Sequence, residues 1–100
     1  MKTNKNLKRV IKTLKDSQAQ VKKEYKAEIT GVFGSYVRGE QKKASDLDIL
    51  VRFIEGATLL DLVGVANFLE EKLNIKVDIV PIDAIRNEIK EQVLSGAVYL

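Results

Sequence analysis

Two aspartates separated by one residue, Asp46 and Asp48, open the run Asp46-Leu47-Asp48-Ile49-Leu50-Val51. The run has strand character, and residues two apart on a strand share a face of the sheet. Two carboxylates would therefore project side by side. Like charges at that spacing repel, and one is pushed toward its neutral form unless a cation lies between them. Hard oxygen ligands of this kind suit magnesium, which keeps several waters and is held by one or two carboxylates together with substrate phosphates. A cradle for phosphates stands ten residues upstream, at Gly34-Ser35. Gly34 permits a tight strand-to-helix turn, and Ser35 can cap the short helix that follows and present a hydroxyl. Backbone N–H groups at that helix start would face an anion. Arg38, about one turn on, adds a fixed positive charge, and Gly39 is placed to stop the helix.

Each piece is common by itself: Gly-Ser is an ordinary turn, and Asp-x-Asp is often a solvated strand face. Their conjunction is specific. Apolar-Gly-Ser, ten residues, then Asp-apolar-Asp-apolar, with Arg38-Gly39 between and Ser45 just before the first aspartate, resembles the signature of the polymerase-beta-like nucleotidyltransferase superfamily. The match is nearest to the minimal nucleotidyltransferases, short prokaryotic domains often encoded beside a HEPN-domain protein, and it runs from about Ile29 to Leu100. The resemblance implies a third catalytic carboxylate on the strand after the intervening helix, where Asp78 stands. It further implies magnesium, as two ions, held by Asp46, Asp48 and Asp78, with ATP contacted by Gly34, Ser35, Arg38 and Ser45. The implied reaction moves AMP from ATP to a hydroxyl acceptor. The implied acceptor is a tyrosine of a partner HEPN ribonuclease toxin, which makes the chain an antitoxin.

The elements that must position these groups read as follows. Leu7, Val10, Ile11, Leu14, Val21 and Tyr25 recur at helical spacing, predicting one amphipathic helix over about Thr3 to Lys26, with Ser17 the one point where it could be interrupted. Ala27 to Phe33 is the first strand, in which Gly31 marks a bulge or close approach. The second strand runs from Asp46 to Phe53, after a polar loop over 40–44. Thr58 is a good N-cap for a helix from Leu59 to Leu73, with Leu59, Leu62, Val63, Ala66, Leu69 and Leu73 as its stripe and Asn74 at its end. Lys76 to Val80 is a third strand that Pro81 should stop. In that strand Asp78 points opposite Val77 and Ile79. Asp83 is expected to cap a last helix from Ala84 to about Leu94. The apolar tail Ala97-Val98-Tyr99-Leu100 then has two outlets, packing on the sheet or joining an interface between copies. The order predicts a two-layer α/β (α+β) domain, a small mixed sheet with helices packed on one side.

The 100 residues leave room for one domain, with a basic N-terminal helix over 1–26 and a core over 27–100. No acceptor-recognition domain fits beside it, so the acceptor has to be presented by a partner. Cysteine and histidine are absent, which excludes disulfides, thiolate chemistry and imidazole-centred sites and leaves a carboxylate as the general base. No apolar run approaches a membrane span and no signal-peptide core follows the polar start, so a cytoplasmic location is expected. Residues 1–26 hold nine Lys or Arg against Asp16 and Glu24, within a chain of net charge +3. Without interleaved aromatics this basic arm reads as a solvated helix face rather than a nucleic-acid platform. Two other classes compete with the enzyme: a non-catalytic nucleotide- or partner-binding module, and an RNA-binding module using the basic helix.

Overall fold

A computed structural model describes residues 5–42 and 46–100. Helix α1 (Lys5–Tyr25) is continuous. Val10, Leu14 and Val21 are fully buried along one stripe, and Ser17 occupies the remaining position of that stripe, 6% exposed. Its hydroxyl donates to the Thr13 carbonyl at 2.8 Å. Bonding back to the previous turn satisfies the buried hydroxyl inside the helix, so the helix runs through Ser17 without interruption. Lys26, at a left-handed φ of 52°, ends the helix and turns the chain into the sheet.

Strands β1 (Ala27–Phe33), β2 (Leu47–Phe53), β3 (Val77–Pro81) and β4 (Val98–Tyr99) form one mixed sheet in the order β3-β2-β1-β4. β1 pairs antiparallel with β2 and with β4, while β2 and β3 are parallel. A parallel pair needs a crossover, which helix α3 (Leu59–Leu73) provides. Helix α2 (Ser35–Arg38) follows β1, and α4 (Asn87–Ser95) precedes β4. α1 and α3 pack on each other and on the sheet, where Ile29, Val32, Leu47, Ile49 and Val51 share a core with Leu14, Val65 and Leu69. By alternation, Asp48, Leu50 and Arg52 take the opposite face of β2.

Thr58 and Asp61 form a reciprocal capping box at the start of α3, and Asn74 ends the helix in the left-handed region at φ 56°. The expected stripe of α3 holds at Leu62, Ala66, Leu69 and Leu73, which are buried or packed against the core, and departs from expectation at Leu59, Val63 and Val65. Val65, Leu69 and Leu73 are buried, whereas Leu59 is 75% and Val63 47% exposed, because the helix presents the phase of Val65 rather than that of Val63 to α1 and the sheet.

β1 carries a bulge: its register with β2 moves from Ile29↔Val51 to Gly31↔Leu50, which leaves Thr30 without a partner residue in that ladder. A Cβ on Gly31 would lie 2.4 Å from the Val98 carbonyl oxygen, so glycine is what lets β4 approach. The C-terminal tail thus takes the sheet, and the Leu100 N–H donates to the Thr30 carbonyl at 3.1 Å. Past the end of β4, Gln18 of α1 completes the edge: its amide accepts from the Ile29 N–H at 2.8 Å and donates to the Ile29 carbonyl at 2.7 Å.

Two boundaries differ from expectation near the third strand. Pro81 is its last residue, paired with Val51, which an edge strand tolerates because the missing N–H breaks no further ladder. Asp83 lies within a 3-10 turn, Ile82–Ala84, and α4 starts only at Asn87 with Arg86 at its N-cap. The tight turn directly after Pro81 and the extended backbone at Ile85 and Arg86 delay the helix, so Asp83 does not cap it.

Candidate active site

The site is built where β1 ends. Gly34 has φ +86° and ψ −154°, a region open essentially to glycine alone. This conformation makes Gly34 itself the N-cap of α2 and Ser35 the first helical residue, with no side-chain capping bond. The capping role expected of Ser35 is therefore taken by the backbone of Gly34, whose carbonyl accepts from the N–H groups of Val37 and Arg38 at 3.1 and 3.2 Å. Tyr36, 8% exposed, anchors the short helix in the core. Gly39, at φ +71°, ends it in the left-handed conformation, as its position in the sequence suggested.

The carboxylates come to the same corner by strand register. Asp48 stands opposite Phe33 on β1 and beside Asp78 on β3. A Cβ built on Gly34 would fall 2.2 Å from Asp48 Oδ2, so the absent side chain of the turn is the space the carboxylate occupies. Asp48 is half-buried, while Asp78 and Asp46, the residue just before β2, are exposed. Burial pushes the Asp48 carboxyl above its ordinary range, the negative charges of Asp78 and then Asp46 push it further, and the Arg38 guanidinium opposes them. Asp46, Asp48, Asp78 and Arg38 are thereby brought into one electrostatic neighbourhood. Ser45 lies outside the described residues.

Two contacts set the strand that carries Asp78. The Leu47 N–H donates to the Lys76 carbonyl at 2.9 Å, and the Val77 N–H donates to Glu70 Oε2 at 3.0 Å. Glu70 sits on α3, and sequence reasoning passed over it because its role exists only once α3 packs beside β3.

Among the described residues no group of three carboxylates stands in metal-holding geometry. Asp48 and Asp78 make a pair on adjacent strands, with Asp46 at its mouth. That open arrangement suits magnesium, which takes one or two carboxylates and fills its remaining positions with waters and substrate phosphates. Burial is the largest cause of the raised Asp48 carboxyl, and the smaller part owed to Asp78 and Asp46 is what a divalent ion would relieve. Arg38 is exposed and paired with Glu40 at 2.7 Å. It lines a cleft of about 410 Å³ with Phe33, Gly34, Gln92, Val93 and Gly96. The α4 residues of this cleft, Gln92 and Val93, carry no signal in spacing or motif, since only tertiary packing brings them to the turn.

The match of residues 7–100 to the family model for the nucleotidyltransferase domain decides the family. The chain is a nucleotidyltransferase. Relatives of this nucleotidyltransferase include the protein adenylyltransferase MntA of Thermococcus cleftensis, 46% identical over 70 residues that cover 70% of this chain and 71% of the relative. A solved structure provisionally named a minimal nucleotidyltransferase superposes with a TM-score of 0.77 at 37% identity, covering 92% of this chain and 94% of that one. A crystal structure of a toxin–antitoxin with AMP-PNP gives a TM-score of 0.66 at 26% identity, over 94% of this nucleotidyltransferase and 71% of the matched chain. The mixed sheet with its helices is thus the fold of the minimal nucleotidyltransferases.

Proposed function

We propose that this nucleotidyltransferase transfers AMP from ATP to a tyrosine hydroxyl of a HEPN ribonuclease toxin, and so serves in the cytoplasm as its antitoxin. The observation that carries the reading is the contact of the Gly34 turn with Asp48, with Asp78 in register beside it. It supports reading the turn as a phosphate cradle and the two carboxylates as cation ligands. The similarity to a protein adenylyltransferase and to a chain of a toxin–antitoxin with AMP-PNP supports the choice of nucleotide and of acceptor.

In this reading Asp46 and Asp48 hold magnesium and Asp78 completes the set. When bound, the metal neutralises charge on the triphosphate and on the departing pyrophosphate. The backbone and hydroxyl of Gly34-Ser35 hold the β- and γ-phosphates, Arg38 supports them electrostatically, and Ser45 contributes to binding the nucleotide. Asp78, exposed at the edge of the pair, accepts the proton of the acceptor hydroxyl. The freed oxygen attacks the α-phosphorus, the bond from that phosphorus to the bridging oxygen breaks, and pyrophosphate leaves with the electron pair. Positioning and charge complementarity supply most of the acceleration.

The test is release of pyrophosphate from ATP with and without the HEPN protein, in magnesium and after chelation. The reading expects release that needs both metal and partner. Tight complex formation with no ATP consumption under any condition would leave a non-catalytic binding module in its place.

A further inference from the structure

The basic helix has no part in the chemistry above, yet it borders a groove. Leu7 and Ile11 of α1 and Val98 of β4 form an aliphatic floor, rimmed by Lys8, Lys12, Lys15 and Asp16, around a cavity of about 450 Å³. Asp16 is tied to Lys12 at 3.2 Å. Lys8 and Lys15, both exposed, have no ion-pair partner among the described residues. The groove also lies toward the site: β4 pairs with Gly31 and Val32, just before the Gly34 turn, and α1 touches α2.

We propose that this groove docks an acidic segment bearing aliphatic side chains, supplied by the protein acceptor. The chemistry of the lining selects it. An aliphatic floor gains by burying apolar side chains, and two uncompensated lysines call for carboxylates at the edge of the same segment. Single-stranded RNA fits poorly, because the floor offers no aromatic face for base stacking and Asp16 stands on the rim against a phosphate backbone. The groove lies within reach of the site, where it can hold the acceptor beside the Gly34 turn. The inference rests on the reading that the acceptor is a protein, and it assigns the surface that recognises it.

The experiment compares wild type with Lys8→Glu/Lys15→Glu for binding to the HEPN protein without ATP, and separately for AMP transfer. A control carries the same charge change at exposed Lys23 and Lys26. The rim reversal should weaken the complex by about tenfold or more, with a difference that shrinks as salt is raised. The control should bind like wild type, and ATP affinity should be equal in all three. Transfer should fall in kcat/KM and recover at saturating partner. A wild-type chain that forms no complex with the HEPN protein, or a complex indifferent to the rim reversal, overturns the proposal. Equal loss in rim variant and control overturns it also, as does a rim-dependent affinity for single-stranded RNA exceeding that for the protein. A rim-dependent complex in which no AMP is ever transferred would instead retain the groove and remove the proposed reaction.

Discussion

Replacing Gly34 by alanine tests how the turn and the carboxylates are joined. Two costs can be separated. Alanine at φ +86° and ψ −154° sits in a region that costs on the order of 1–3 kcal/mol, whatever surrounds it. Its methyl group would also meet Asp48 Oδ2 at 2.2 Å and Asp48 Cγ at 3.2 Å, but Asp48 Cβ only at 3.6 Å. The carboxylate must therefore swing aside, and truncating it at Cβ removes the conflict entirely. Chemical denaturation of the single variants and of Gly34→Ala/Asp48→Ala should show a double-mutant coupling of about 1 kcal/mol, with the double variant more stable than the sum of its parts predicts. The backbone cost remains in both. AMP transfer by Gly34→Ala should fall about 100-fold or more, since displacement of a reacting group by about 1 Å has effects of that order. Additive stabilities, or a Gly34→Ala variant that transfers AMP at the wild-type rate, would refute the reasoning.

Further predictions concern the same corner and its supports. Asp48 has its carboxyl raised by burial and by Asp78 and Asp46. The folded state thus prefers it protonated, and that preference is fully present below the ordinary value of 3.8 and lost as pH rises through the raised one. Asp48→Asn should accordingly raise the Tm of the metal-free protein by a few degrees at neutral pH, with the gain disappearing under strongly acid conditions in a thermal scan. Glu28 has the opposite sign: hydrogen bonds from Lys22 and Arg52 lower its carboxyl, so Glu28→Gln should lose stability near neutrality and approach wild type as pH falls through the lowered value. Glu70→Ala leaves the Val77 N–H without its carboxylate and should cost about 1–3 kcal/mol, with a larger proportional loss in AMP transfer because β3 carries Asp78. Gly31→Ala drives a methyl group into the Val98 carbonyl and should cost about 1–3 kcal/mol, with amide exchange rising first at Val98 and Tyr99.

Much of the frame was legible because local chemistry and global packing agree there. β1 and α3 fall on the expected residues, since Ala27–Phe33 ends at a glycine that must turn and Leu59–Leu73 lies between a capping threonine and an asparagine able to adopt positive φ. What could not be read depended on neighbours distant in sequence. Ser17 looks like a helix breaker until its hydroxyl is seen bonded to Thr13, and Gln18 looks like a surface residue until it is found closing the edge of β1. The tail 97–100 could have gone to the sheet or to another copy, and the space at Gly31 selects the sheet. At the site, spacing pointed to the Gly34 turn and to the pair Asp46 and Asp48, whereas Asp78 was singled out by the family resemblance and its strand register with Asp48 appears only in the fold. Glu70, Gln92 and Val93 were hidden because each arrives from another helix. On α3 the expected stripe held at Leu62, Ala66, Leu69 and Leu73, while Val65 was missed and Leu59 and Val63 stayed exposed, because contact with α1 and the sheet sets which edge of the stripe is covered.

The account rests on Asp48 serving AMP transfer at the Gly34 turn, and intact mass measures this most directly. The HEPN protein is co-expressed with wild type or with Asp48→Asn, purified, and weighed. Wild type should add one or more AMP units to the HEPN protein, and the asparagine variant should add none while remaining folded and bound to it. An equal mass shift with both chains would contradict the account.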